Sequence, residues 1–316
     1  MPVFVELGFP HLNNPDSRAS GGSLSPFSSG RRHDIPTGAM IHPTASVHPA
    51  AQIDPTVDVA AHAVIDADVV LGPGCIVGPF VHLTGRTTVG EGNRFHAGCV
   101  IGDAPQDLRY DGAPTRLRIA SGNIFREHVT VHRSNRPEED TVVGSHNYFM
   151  AHSHVGHNSI IGDHVIMANG ATLGGHVVVE DRAFISGNCL VHQFTRVGRL
   201  SLMQGGTGIS KDLAPFTIAQ YRNRVCGLNV VGLRRAGMTA DQRLELRKLY
   251  HAVFRSKLPI RQAAELAATQ FDSELARELL GFIARSRRGV CAELRRRGTD
   301  RGKDETTDET FAGSAA

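Results

Sequence analysis

Five histidines fall close together in the chain: His152, His154, His157, His176 and His192. Imidazole near neutral pH can take a proton from a weak nucleophile or hold a zinc ion. Their phase is informative. His157 lies two residues after Val155, His176 three after Leu173 and His192 one after Val191, and those three aliphatic residues are 18 positions apart. If 18 residues make one turn of a larger coil, the three imidazoles line one edge in successive turns, at the strand spacing of about 4.8 Å. Such a line suits general-base catalysis, and it equally suits a metal held between imidazoles.

An 18-residue turn is what the surrounding sequence dictates. An aliphatic or aromatic residue recurs every sixth position at Ile41, Val47, Ile53, Val59, Ile65, Leu71, Val77, Leu83, Val89, Phe95 and Ile101. The series resumes at Ile119, Phe125 and Val131, and again from Val143 through Phe149, Val155, Ile161, Met167 and Leu173 to Ile209. A period of six is neither the 3.6 of a helix nor the 2 of a plain strand. Four residues after each such position the side chain is usually small, as at Ala45, Ala63, Cys75, Cys99, Ala171 and Cys189. Two inward positions per hexad imply a narrow interior, which a parallel β-helix of triangular section supplies with three short strands per turn. Gly, Pro, Asn and Asp beside the periodic residues are expected to form its corners. Cys75, Cys99 and Cys189 then read as inert core thiols.

Two segments break the period, residues 103 to 118 and 133 to 142, and read as loops thrown out of the coil, where chemistry tends to sit. After Pro215 the hexads end and a helical pattern begins near Asn229. Thr239 and Gln242 form a capping box for a helix that buries Leu246, Leu249, Tyr250, Val253 and Phe254. A second helix follows Pro259, and a third uses Leu275, Leu279, Phe282 and Ile283. The expected organisation is a disordered extension at 1–39, a β-helix at 40–222, an α-helical domain at 223–297 and a disordered tail at 298–316.

Composition narrows the function classes. The opening residues MPVFVELGFP carry neither a basic n-region nor a long apolar run, and no apolar stretch is long enough to span a bilayer, so a soluble cytoplasmic protein is expected, not an integral membrane one. The five cysteines show no paired spacing of a zinc ribbon or redox motif. Net charge is only +3, yet residues 233 to 297 carry 15 Lys/Arg against 7 Asp/Glu, while residues 41 to 232 carry 14 against 16. That basic segment suits an acidic protein partner; nothing calls for nucleic acid.

The stretches PQDLRYDGAPTR, HVTVHRS, MAHSHVGHNSIIG, NGATLGGHV, VHQF and GLNVVGLRRAG, in this order between about Ile41 and Gly289, resemble the UDP-N-acetylglucosamine O-acyltransferases of the lipid A pathway. The left hand of the β-helix comes from this resemblance, since crossover rules alone favour the right hand. The resemblance implies transfer of an (R)-3-hydroxyacyl chain from acyl carrier protein to the glucosamine 3-hydroxyl of UDP-N-acetylglucosamine, the first step of lipid A synthesis, by a homotrimer without cofactor or metal. It implies that His157 is the general base and that the Gly175 N–H donates to the oxyanion. Gln106, Asp107, Arg109, His154, His176, His192, Gln193, Asn229 and Arg235 become substrate-binding groups. Gly205 matches the position that limits acyl length, and a glycine there leads to the expectation of a long chain.

Two positions depart from the family pattern. Asn158 stands where Asp usually follows the catalytic His, so it can accept a hydrogen bond from the ring but offers no charge to an imidazolium. Arg109 stands where Lys is usual, keeping the charge with a different donor geometry. Two other functions stay open on sequence: N-acylation of an amino UDP-sugar from the same donor, and a zinc carbonic anhydrase of the same fold. In the anhydrases two of three ligands are spaced as His152 and His157 are.

Overall fold

The computed structural model describes residues 40–293, so the expected extension at 1–39 and tail at 298–316 lie outside the described residues. From Ser46 to Ile209 most strands are only two residues long, too short to stand alone. They survive because their backbone groups bond to the adjacent coils, as Gly156 N–H to Leu173 O at 3.0 Å and Gly174 N–H to Val191 O at 2.9 Å. The ladders build three sheets of nine, eight and eleven strands, parallel throughout the coil. Val155 pairs with Leu173 and Leu173 with Val191, so the 18-residue turn is real.

Hexad residues fill the interior. Ile65, Leu83, Ile101, Ile119 and Leu173 are at most 1% exposed, and Ala63, Cys75, Cys99, Ala171 and Cys189 are buried among them. Where the hexad residue is aromatic the rings stack at the coil rise: Phe95 on Phe125 at 4.9 Å and Phe125 on Phe149 at 4.8 Å. The core thiols are inert, burial pushing Cys99 up to about 12.

The two loops are narrower than the sequence suggested, because Arg116–Ile119 and Asp140–Val143 are already strands. Val89 pairs with Ile119, 30 residues on instead of 18, and Ile119 with Val143, 24 on instead of 18. Both excesses are whole hexads, which is why the period resumes in phase.

Corners are where the structure departs most from expectation. Left-handed φ values of 54° to 62° occur not only at Asn158 and Asn188 but at His62, Phe80, His128, His146, His152, His164, His176, Arg182, Phe194 and Leu200. A side chain there costs roughly 1–2 kcal/mol. Stacking between successive corners offsets part of this, as His128 on His152 at 5.1 Å and His146 on His164 at 5.2 Å. Several histidines thus serve the turn.

Past the coil, Thr217–Gln220 and Arg224–Leu228 form an antiparallel pair on the eleven-stranded sheet. Four helices follow: α1 Val230–Arg235, α2 Ala240–Phe254, α3 Ile260–Ala267 and α4 Glu274–Ala284. The Thr239 capping box and the buried face Leu246, Leu249, Tyr250, Val253 and Phe254 are present as expected. The last helix is tied to the coil by the ion pair from Arg199 to Glu278 and by Arg196, which donates to Phe282 O at 2.8 Å. No helix among the described residues is long and apolar enough to cross a membrane.

One corner column is polar inside. Asn123 Nδ2 donates to Asn93 Oδ1 at 2.9 Å, and Asn123 Oδ1 accepts from the Asn147 N–H at 2.9 Å. Replacing Asn123 with Ala should leave the Asn147 N–H without an acceptor in a dry site, the Asn93 oxygen still accepting from the backbone N–H of residue 123, and cost about 3 kcal/mol. For a domain of this size that is roughly 6–12 °C in thermal midpoint, readable by calorimetry; a midpoint unchanged within a degree would mean that water replaces the amide.

Candidate active site

Both loops and the histidine line share one edge of the prism. The chain leaves the nine-stranded sheet after Asp103 and after His132, and returns to the eight-stranded sheet at Arg116 and Asp140. One coil further on, the same corner is a two-residue turn at His157 and Asn158, then Gly175 and His176, then Gln193 and Phe194. The loops are laced together. Arg133 donates to Gly102 O at 2.9 Å and to the Tyr110 hydroxyl at 3.3 Å, and Asn135 Nδ2 donates to Asp107 Oδ2 at 2.7 Å.

Beside this edge runs a groove of about 880 Å³. Its floor is the outward face of the nine-stranded sheet, where His154, Thr172, Leu190 and Gly208 stack strand on strand. His157, Gly175, His192 and Gln193 line its edge, Gln106 reaches it from the first loop, and Gly206, Tyr221 and Arg222 lie at the other end.

His157 is held from both sides. Its Nδ1 is 2.8 Å from Asn158 Oδ1, while its Cε1–Nε2 edge lies over Gly175, where an added Cβ would come within 2.6 Å of both atoms. Glycine at 175 is therefore needed for close approach, at an ordinary φ. The Gly175 N–H has no acceptor among the described residues. This edge can remove a proton at Nε2 and receive a developing oxyanion at the adjacent amide.

His176 packs edge-on against His157 at 5.3 Å between ring centroids and lies flat on Phe194 at 4.5 Å. It does not line the groove. Burial, then His157, lowers its pKa, with Glu139 at 3.7 Å opposing. His192 Nδ1 bonds its own neighbour's carbonyl, Gln193 O, at 3.1 Å. His154 bonds Thr130 Oγ1 at 2.7 Å, and burial holds its pKa down at about 4, so it is neutral at pH 7.

Other expected residues are not gathered here. Asp107 accepts from the Arg109 backbone N–H, from Asn135 and from the Arg109 side chain, which holds its carboxyl well below the usual range. Arg109 itself is 87% exposed. Asn229 caps α1 through Gly232 N–H and donates to Leu200 O at 2.9 Å, so its amide is used up inside the fold. Arg235 is exposed on the last turn of α1. His152 stands at a different corner, stacked on His128, so the His152–His157 spacing does not converge. Among the described residues no three or more His, Cys, Asp or Glu side chains are grouped to hold a metal ion. Gly205 is exposed and takes an ordinary φ; the left-handed corner glycine is Gly206, and a Cβ on Gly205 would meet only Gly187 O at 3.7 Å.

Sequence reasoning missed His132, which lines the groove with its ring edge-on to His154 at 4.9 Å. It stands one residue after Val131, the same phase as His192 after Val191, but the longer coil hid the match. It also missed Glu139, Ser134 and Thr141 around Asn158.

The chain is similar to proteins of known kind. Residues 212–291 match the model of UDP-N-acetylglucosamine O-acyltransferase domain 2, and residues 68–103 and 140–175 match that of the bacterial transferase hexapeptide. It is 44% identical to the acyl-[acyl-carrier-protein]–UDP-N-acetylglucosamine O-acyltransferase of Gloeothece citriformis, over 81% of this chain and 93% of that one. A solved UDP-N-acetylglucosamine acyltransferase from Francisella novicida is 31% identical with a TM-score of 0.77, covering 80% of this chain and 94% of that one. The Bacteroides fragilis structure is 35% identical at 0.76, covering 79% and 99%. The fold is the left-handed parallel β-helix with a small helical C-terminal region.

A pH dependence follows from His154. Its folded value of about 4 lies below the ordinary 6.5, so the unfolded chain takes up the proton first as pH falls. The native state keeps its full advantage above pH 6.5 and loses it towards pH 4, with buried His132 and His176 pulling the same way. His154→Gln should flatten the fall in thermal midpoint across that window; parallel curves for variant and wild type would remove His154 as a source.

Proposed function

The chain belongs to the UDP-N-acetylglucosamine O-acyltransferase family, and on that footing we propose how its own residues perform the transfer. The reaction moves an acyl chain from acyl carrier protein to UDP-N-acetylglucosamine. Relatives bearing this name favour neither the amino-sugar N-acyltransferase nor the carbonic anhydrase.

His157 is the general base. The acceptor hydroxyl, the 3-OH of the glucosamine, gives its proton to Nε2 as its oxygen forms a bond to the thioester carbonyl carbon. The carbonyl oxygen, now negative, accepts from the Gly175 N–H. Collapse breaks the carbon–sulfur bond and the proton passes from Nε2 to the leaving thiolate, so the enzyme returns to its starting state. The observation that carries this reading is the ring pinned at Nδ1 by Asn158 with its Nε2 edge over Gly175 at the groove wall.

The donor is an (R)-3-hydroxyacyl chain. The floor passes from His154 and Thr172 to Leu190 and bare Gly208, a polar-to-apolar sequence that fits such a chain running from its carbonyl to its tail. Gln106, His192 and Gln193 contact substrate in the groove, with His154 behind the reacting centre. Arg235 offers its guanidinium to the diphosphate, and Asn229 contributes by capping the helix that carries it. Asp107 and Arg109 act from the loop. The working unit is a homotrimer. In its favour, Ile124, Ile166, Phe184, Leu202 and Ile218 form a half-buried apolar stripe on the outward face of the eleven-stranded sheet of a single chain. The basic C-terminal segment receives the acidic carrier protein.

His157→Ala should lower transfer by roughly 10²- to 10⁴-fold without changing the melting curve, as followed by mass spectrometry of the acylated sugar nucleotide. Retention of more than a tenth of the wild-type rate would contradict the base role.

Gly205→Met tests the length limit. Because Gly205 has ordinary φ and open space, the variant should fold normally. A side chain closing the far end should then shift preference to shorter chains, each excluded methylene forfeiting about 0.8 kcal/mol. Thioesters of graded length supply the ranking, and an unaltered order would refute the role.

A further inference from the structure

Asn158 stands at the centre of a closed set of hydrogen bonds whose polarity can be read without ambiguity. Its Oδ1 accepts from the Asn135 backbone N–H at 3.0 Å, and a backbone N–H can only donate. Its Nδ2 donates to Glu139 Oε2 at 2.7 Å, and an ionised carboxylate can only accept; Nδ2 also reaches Ser134 Oγ at 2.7 Å. Two independent partners thus fix the amide the same way round. Oδ1 therefore faces His157 Nδ1 at 2.8 Å, which requires the proton to sit on Nδ1 and leaves Nε2 as the free lone pair.

We propose that Glu139 is a positioning residue for the transfer: through the Asn158 amide it selects the His157 tautomer and supplies the negative charge facing the imidazolium formed during reaction. The proposal rests on His157 being the base. Asn158 carries no charge, and Glu139 restores one a single link further away, on the second loop. When Nε2 takes the acceptor proton the ring becomes cationic, Nδ1–H still donates to Asn158 Oδ1, and Asn158 Nδ2–H still donates to Glu139; no proton moves along the chain. The other carboxylate oxygen, Oε1, is 3.3 Å from Arg136 Nη1. The remaining titratable groups around the ring are His176 at 5.3 Å, His132 and His154 across the groove, and Asp107 behind Asn135.

The arrangement has a distinctive consequence. Exchanging the two groups, Glu139→Gln together with Asn158→Asp, preserves the bonds of the relay: residue 158 still accepts from His157 and Asn135, and the amide at 139 now donates to it, while Ser134 has to turn its hydroxyl from Arg136 O to residue 158. Each single change breaks the pattern, Glu139→Gln by removing the charge and Asn158→Asp by setting two carboxylates face to face at hydrogen-bonding distance.

Kinetics of the full-length enzyme with acyl carrier protein thioester and UDP-N-acetylglucosamine test this. Each single variant should lose at least about tenfold in kcat with KM unchanged, as expected when a group that orients a base is lost. Glu139→Gln should also move the acid limb of kcat/KM to lower pH. The exchanged double variant should recover to within about threefold of wild type and return the limb. A wild-type rate in either single variant, or a double variant no better than both singles, would overturn the proposal. Nitrogen NMR of histidine-labelled protein reads the tautomer directly, without turnover: His157 should show the Nδ1–H form in the wild type and a reduced share of it in Glu139→Ala, where the Asn135 N–H alone orients the Asn158 amide. An unchanged tautomer would overturn the positioning role. A fully active His157→Ala would instead bring down the base reading, which the Glu139 variants alone cannot do.

Discussion

The strands of the coil are held by hydrogen bonds between N–H groups and carbonyls of adjacent turns, and the rest of the molecule follows from that requirement. Two-residue strands have no stability of their own, so the ladder is cooperative only if no turn is skipped. Extra chain may leave the coil, but it has to re-enter on the next strand of the same ladder with its inward residues still inward. The coils containing the loops are longer than their neighbours by whole hexads for this reason. Both excursions also leave by one corner, which puts two flexible-length segments directly over the rigid turn that carries His157.

Rigidity and adjustability meet at Asn158. Below it the coil fixes His157 and Gly175 to within the tolerance of a hydrogen-bond ladder. Above it the loop at 133–139 brings Asn135, Ser134 and Glu139 onto the same amide. Glu139 is partly exposed, so its electrostatic pull on the ring is screened by solvent and salt. The direction of a hydrogen bond is not screened in this way. An amide relay therefore passes on orientation more faithfully than charge, and it does not titrate.

Most of the fold was legible because its signals are periodic. The hexads gave the coil, the Thr239–Gln242 pair gave the start of α2, and Pro259 marked the entry to α3. The corners were not legible in the same way. A left-handed turn was expected of Gly and Asn, whereas stacking on the neighbouring coil makes His128, His146, His152, His164 and Phe194 acceptable there. Histidine count alone thus overstated the site; phase narrowed it to His157, His176 and His192, and the family resemblance singled out His157, the ring that lies over Gly175. Glu139 left no trace in sequence because a loop residue has no phase; only the 24-residue length of its coil sets it beside Asn158. Asn229 showed as a helix start, and that is the role its hydrogen bonds express.

The proposed base and the proposed length limit lie apart along the prism axis. His157 and Gly175 sit at one corner, while Gly205 and Gly206 sit at another, between one and three coils along. In a stacked repeat each coil feels mainly its nearest neighbours, so a change in side-chain volume at the far end is not transmitted to the base. The floor between them is built from outward positions, Thr172, Leu190 and Gly208, which contribute nothing to the core and can vary without disturbing it. A scaffold of this kind can alter how much of an acyl chain it accommodates while holding the proton-transfer geometry fixed. Glycine at 205 has open space around it, whereas glycine at 175 has the imidazole of His157 in the place a side chain would take, so the first position tolerates a side chain and the second does not.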